Sequence, residues 1–160
     1  MTKLLGPCAG ALAAVLMMAS PAAAQTVTLT TTLYGGDETP ALNTGALGTA
    51  EVSVDVTNRE IAVTLKIFNI PTTTTAGHIH VGPRGVAGPV VIDFPATIAG
   101  RTGDFTMTFR VGEEAFRARA AIGIHTMEDA IQAIAGGNSY VNIHTTQFPA
   151  GEIRGQLTVD

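Results

Sequence analysis

Glu51-Val52-Ser53-Val54-Asp55-Val56 and Ile61-Ala62-Val63-Thr64-Leu65-Lys66-Ile67, joined by a polar turn around Asn58-Arg59, decide the fold. Successive side chains of a strand point to opposite faces. Val52, Val54 and Val56 therefore share one face, and Ile61, Val63, Leu65 and Ile67 share one face of the second run. Two period-2 runs separated by a short polar turn predict an antiparallel hairpin with one buried side.

The same signal recurs outward from this hairpin. Thr26 to Tyr34 alternates Val27, Leu29 and Leu33 with threonines, and Val90 to Phe94 is a short apolar run. Phe105, Met107, Phe109 and Val111 alternate with Asp104, Thr106, Thr108 and Arg110. Near the C-terminus, Tyr140 to Thr145 is expected to pair across 146–151 with Ile153, Gly155, Leu157 and Val159. Gly35 to Gly48 and Gly82 to Pro89, rich in Gly, Pro and small polar residues, read as loops. One helix is predicted: Thr126 as N-cap, Glu128 and Asp129 in the first turn, apolar residues at helical spacing, and Gly136-Gly137 as the stop. Residues 113–125 satisfy both a helical and a strand pattern. The fold class is all-β: an antiparallel β-sandwich or Greek-key-like barrel with one short helix near residues 127–135.

Residues 1–24 are expected to be a signal peptide. Lys3 supplies a positive start, Ala9 to Met18 an apolar run, and Pro21-Ala22-Ala23-Ala24 a small-residue cleavage site. The remaining 25–160 form one domain, and the expected localisation is exported, periplasmic or extracellular. No later run approaches the roughly 18 apolar residues of a spanning helix. The single cysteine, Cys8, lies ahead of most of the apolar run, where a lipidated cysteine would follow it. The exported domain thus has no disulfide and no thiolate. With 9 Lys+Arg against 13 Asp+Glu and its basic residues scattered, the chain is not built for nucleic acid.

Two of the four histidines lie in Gly77-His78-Ile79-His80-Val81-Gly82. On a strand, His78 and His80 share a face at a spacing of about 6.6 Å, within reach of one ion. His144, on the polar face of Val141-Asn142-Ile143-His144, is the candidate third ligand, and His125 a weaker one. Nitrogen donors without sulfur favour copper(II) or zinc over calcium or magnesium. The competing reading is that these rings simply hydrogen-bond loop carbonyls or carboxylates such as Glu152. Glu152 and Arg154, two apart on one strand, read as an ion pair or cross-strand polar ladder. There is no Gly-x-Ser-x-Gly elbow and no phosphate-binding loop, and the glycines of 82–88 read as turn formers. No catalytic residues are assigned.

Several motifs in order resemble the chordin (CHRD) domain family. They are Gly36-Asp37-Glu38-Thr39-Pro40, then Thr44 to Ala50, Ala76-Gly77-His78-Ile79-His80, Gly88-Pro89-Val90-Val91, Tyr140 to Thr145, and Pro149 to Leu157. The resemblance implies a secreted or cell-surface β-rich module. In animal chordin such domains belong to an extracellular antagonist of bone morphogenetic proteins, while bacterial relatives are mostly short exported proteins, which this chain is similar to. It lacks the cysteine-rich modules that bind growth factors, so that activity is not carried over. The leading expectation is a non-enzymatic binding or structural module for an unknown protein or envelope ligand. The alternative is a histidine-ligated copper or zinc protein. Superoxide-dismutase-like redox activity is a further version, by analogy with His-x-His copper sites on β-sandwiches.

Overall fold

The computed structural model describes residues 25–159; the expected leader, with Lys3 and Cys8, lies outside them. Among the described residues the fold is all-β apart from one short α-helix. Its strands are β1 (Thr26–Tyr34), β2 (Leu47–Asp55), β3 (Glu60–Ile70), β4 (Thr74–Val81), β5 (Val90–Asp93) and β6 (Gly103–Val111). After helix α1 (Met127–Ala135) come β7 (Ser139–Thr145), β8 (Ile153–Gln156) and β9 (Thr158–Val159). They form one antiparallel sheet in the order β5-β4-β7-β8-β1-β2-β3-β6, with β9 on β1.

The hairpin predicted first is β2–β3, with Val54 opposite Ile61 and Val52 opposite Val63. Its buried face holds Val52, Val54, Ile61, Val63, Leu65 and Ile67, all fully buried. Each such side chain contributes about 1.5–3 kcal/mol when removed from water. The Asp55 carboxylate accepts from the Asn58 backbone and side chain across the turn, and Arg59 takes a positive φ. β1 and β6 flank this pair, with Leu29 opposite Val52 and Val63 opposite Phe109.

The sheet curls until its two ends approach. Phe94, just past β5, meets Phe109 of β6 edge to face at 4.9 Å. The curl is thus closed by side chains rather than by a strand ladder. Helix α1 packs inside against β1, β2 and β4, burying Met127, Ala130, Ile131 and Ile134. Its start is the predicted one. The Thr126 hydroxyl accepts from the Asp129 amide and the Asp129 carboxylate accepts from the Thr126 amide, a reciprocal cap of two N-terminal donors. Among the described residues no helix is long and apolar enough to cross a membrane.

Two local expectations resolve differently. Segment 113–125 is neither helix nor strand: it holds two 3₁₀ turns, Glu113–Ala115 and Ala120–Ile122. Between them it lies along the free edge of β5, where the Arg117 amide donates to the Val91 carbonyl and the Arg119 guanidinium to the Val90 carbonyl. The C-terminal hairpin is shorter than the alternation predicts. β8 pairs with β7 from Ile153 to Gln156, then the chain turns in at buried Leu157 and leaves for β1, with Val159 opposite Leu29.

The closure gives a test. Phe94→Ala should cost about 3 kcal/mol by leaving a cavity at the seam. Phe68→Ala, at a side chain 39% exposed, should change stability by no more than about 0.5 kcal/mol. Urea denaturation midpoints compare them directly.

Candidate metal centre

β4, β7 and β8 turn one face to the core and the other toward three loops. On the outer face, register sets His78 beside Asn142 and Arg154, His80 beside Tyr140 and Gln156, and Ala76 beside His144. An antiparallel sheet commonly leaves such a face in water. Here every residue of β7 is buried. Segments from 35–44, 82–89 and 146–151 lie over the outer face and bond to its side chains.

Loop 82–89 is held by Arg154, whose guanidinium donates to the carbonyls of Val86 at 2.7 Å and Pro83 at 3.3 Å. The same guanidinium lies 3.4 Å over the Tyr140 ring, which stacks on His80 at 4.7 Å. The Tyr140 hydroxyl accepts from the Gly88 amide at 3.0 Å. Position 88 has to be glycine, because a Cβ there would sit 1.8 Å from the Val81 carbonyl oxygen. Loop 35–44 contributes Glu38, which accepts from Asn142, and Thr44, which donates to Glu152 at 2.7 Å. Burial raises the Glu38 carboxyl above its ordinary value, against the opposing effects of Asn142 and Arg154.

The expected Glu152–Arg154 ion pair or exposed polar ladder does not form. Glu152 is fully buried and takes the hydroxyls of Thr44 and Thr145, while Arg154, 3% exposed, points to loop carbonyls, the Thr39 hydroxyl and the Tyr140 ring. The covering loops separate two groups that strand parity alone would place together.

His78, His80 and His144 converge. One ring nitrogen from each lies within 4.8 Å of the others, and His78 Nδ1 is 3.0 Å from His144 Nε2. Tetrahedral bonds of about 2.0–2.1 Å set donors about 3.3 Å apart, so small rotations bring the three onto one ion. His125 is not brought to them. It is exposed at the start of α1, its backbone amide donating to Asp129.

Hydrogen bonds fix the tautomers. A carbonyl only accepts, so His80 Nδ1 carries the proton given to Gly88 O at 2.8 Å, and His144 Nδ1 the proton given to Pro149 O at 3.0 Å. Both Nε2 atoms therefore present lone pairs. Among the described residues His80 Nε2 is buried with no hydrogen-bond partner. His78 Nδ1, facing a bare His144 Nε2, must be the donor between them, which leaves His78 Nε2 bare as well. It faces Asp93 Oδ1 at 3.6 Å, and that oxygen too is buried without a hydrogen-bond partner among the described residues. The other Asp93 oxygen is bonded by Arg117.

All three imidazoles are held neutral. Burial lowers His78 to about 4, helped by the neighbouring His144 and His80 and opposed by Asp93. Burial likewise lowers His80 to about 4 against the pull of the Gly88 carbonyl, and it lowers His144.

The family model of the CHRD domain matches residues 29–157, most of the chain. The chain belongs to the CHRD domain family. Comparison with curated proteins and with solved structures finds no match. All three clustered histidines of this CHRD domain lie within the matched span. Its sequence points to them by strand parity, and parity with Asn142 and His144 also reaches Tyr140. Asp93 is not reachable that way, because its place opposite His78 depends on a β4–β5 pairing across a Gly- and Pro-rich loop.

The histidines predict the pH response of the metal-free domain. The unfolded imidazoles take up protons near 6.5, whereas folded His78 and His80 do so near 4. The unfolded state binds more protons in between, so this stability is complete above about pH 6.5 and lost as pH falls toward 4. Glu38, raised, works in the opposite sense. With a chelator present, the urea midpoint should fall between pH 7 and 5, and a His78→Gln/His80→Gln double variant should flatten that slope.

Proposed function

We propose that this CHRD domain is an exported, non-enzymatic binding module whose three imidazoles, from His78, His80 and His144, hold a zinc or copper(II) ion. The observation that carries the reading is a pair of orphaned buried atoms, His80 Nε2 and Asp93 Oδ1, that one cation would satisfy together. His80 Nε2 and His144 Nε2 would hold the cation with their lone pairs, and His78 Nδ1 would join them with its proton carried instead on Nε2, where it would donate to Asp93 Oδ1. Each ligand then has an outer acceptor: Gly88 carbonyl, Pro149 carbonyl and Asp93 carboxylate, the arrangement that orients metal-bound imidazoles.

Neutral imidazoles suit this role, since binding need not first remove a proton from a charged ring. The donor set supports zinc or copper(II) over calcium or magnesium. We carry the binding role rather than superoxide-dismutase-like redox chemistry because His80 and His144 are only 8% and 9% exposed beneath their loops. Export to the periplasm or outside the cell is supported by Lys3, the apolar run Ala9 to Met18 and Pro21-Ala22-Ala23-Ala24.

Calorimetric titration of metal-free protein at pH 7 should give one equivalent of zinc or copper(II) with submicromolar affinity. His80→Ala and His144→Ala should each weaken it at least about 100-fold, and Asp93→Ala about 10–100-fold. Nitrogen-15 NMR should show the His78 proton on Nδ1 without zinc and on Nε2 with it. Absent submicromolar binding, or binding indifferent to all three histidines, would refute the site.

A further inference from the structure

On the outer side of the opposite half of the sheet the same polar face stays open. Register lays out two cross-strand rows there: Thr32, Thr49 and Lys66, and Thr30, Glu51 and Thr64. A groove of about 780 Å³ runs over them, bounded by Tyr34, Asp37 and Arg84 toward one end and by Thr158 on β9. That volume falls within the roughly 300–1,000 Å³ of small-ligand sites.

We propose that this groove binds a neutral oligosaccharide segment. Three features select that chemistry. The groove's charges balance, Asp37 and Glu51 against Lys66 and Arg84, so it offers no net attraction to an anion or a cation. Most of its remaining polar groups are threonine hydroxyls; those of Thr31 and Thr158 already donate to β1 carbonyls and that of Thr64 bonds Thr108, yet each oxygen can still accept, which matches a ligand that is itself a run of hydroxyls. Tyr34, 50% exposed, stands at the edge as an apolar ring with a polar tip, a platform for the C–H face of a sugar ring.

The groove's fixed and free groups divide in a useful way. Arg84 and Asp37 bond each other at 3.1 Å and form a set wall. Glu51 and Lys66, diagonal neighbours on adjacent strands and both exposed, make no ion pair or side-chain hydrogen bond among the described residues. A carboxylate acceptor and an ammonium donor are thus available together to adjacent ligand hydroxyls. A protein partner is disfavoured, because charged Lys and Glu are depleted from the cores of protein interfaces and the groove offers one large exposed aromatic. Nucleic acid is disfavoured because two cations stand against two carboxylates.

Calorimetry and amide chemical-shift mapping with cellotetraose, maltotetraose and chitotetraose test this, with glucose and polygalacturonate alongside. Saturable binding of at least one neutral tetrasaccharide is expected, with Kd below about 1 mM, tighter than glucose. Tyr34→Ala and Glu51→Gln should each weaken it at least about fivefold, while Phe68→Ala, at an exposed ring outside the groove, should leave it unchanged. Binding should persist in a His78→Ala/His80→Ala/His144→Ala protein that circular dichroism shows to be folded, which separates this groove from the metal centre. The proposal is overturned if no neutral tetrasaccharide binds, if polygalacturonate alone binds, or if binding ignores Tyr34 and Glu51.

Discussion

A strand buried on both faces needs partners for the polar groups it carries, and β7 imposes that constraint on the whole domain, with only the Ser139 hydroxyl of its side chains left unpartnered among the described residues. Its inner side, Val141 and Ile143, belongs to the core; its outer side carries Tyr140, Asn142 and His144 out of water as well. Each buried polar group left unbonded costs about 1–3 kcal/mol, so the loops above have to supply partners. They do so largely with backbone: Gly88 and Pro149 for histidine nitrogens, Pro83 and Val86 for Arg154. These Gly- and Pro-rich segments are ordered because the sheet beneath them binds their carbonyls.

Arg154 is the fastener of that cover. Its planar guanidinium lies on Tyr140, reaches two carbonyls of loop 82–89, and reaches Thr39 in loop 35–44. A planar fork can stack and donate at once, which a point-charge ammonium cannot do. Its positive charge, beside Tyr140 and His80, also disfavours protonation of His80. The group that holds the loops down therefore helps keep the His80 imidazole neutral. The histidine cluster and its cover are one arrangement, with His80 and His144 bonded outward to the loops they lie under.

The two halves of the sheet's outer face differ in what covers them. Near β4, β7 and β8 that face is roofed by loops, and His80, Asn142, His144 and Arg154 are buried beneath them. Over β1, β2 and β3 it remains in water, with threonines, Glu51 and Lys66 exposed or half-buried. Only the connections differ: loops 35–44, 82–89 and 146–151 fold over one half, while the tight β2–β3 turn leaves the other open. The same alternation of polar and apolar residues thus yields a buried histidine cluster at one side and a hydroxyl-lined groove at the other.

By itself, the sequence determined the all-β class, the β2–β3 hairpin, the capped helix at 127–135 and the shared face of His78 and His80. Each of these follows from local periodicity or a local cap, which a chain carries without reference to distant partners. The strand parity that singled out His144 is equally local. Tertiary structure alone decided that His144 meets His78, that Asp93 stands opposite His78, and that Glu152 and Arg154 part company beneath separate loops. It also decided that 113–125 runs as 3₁₀ turns along the edge of β5, where either regular pattern would have been permitted. The reason is physical: period 2 states which way a side chain points, whereas what it meets depends on pairing across loops and on which loops fold over the sheet.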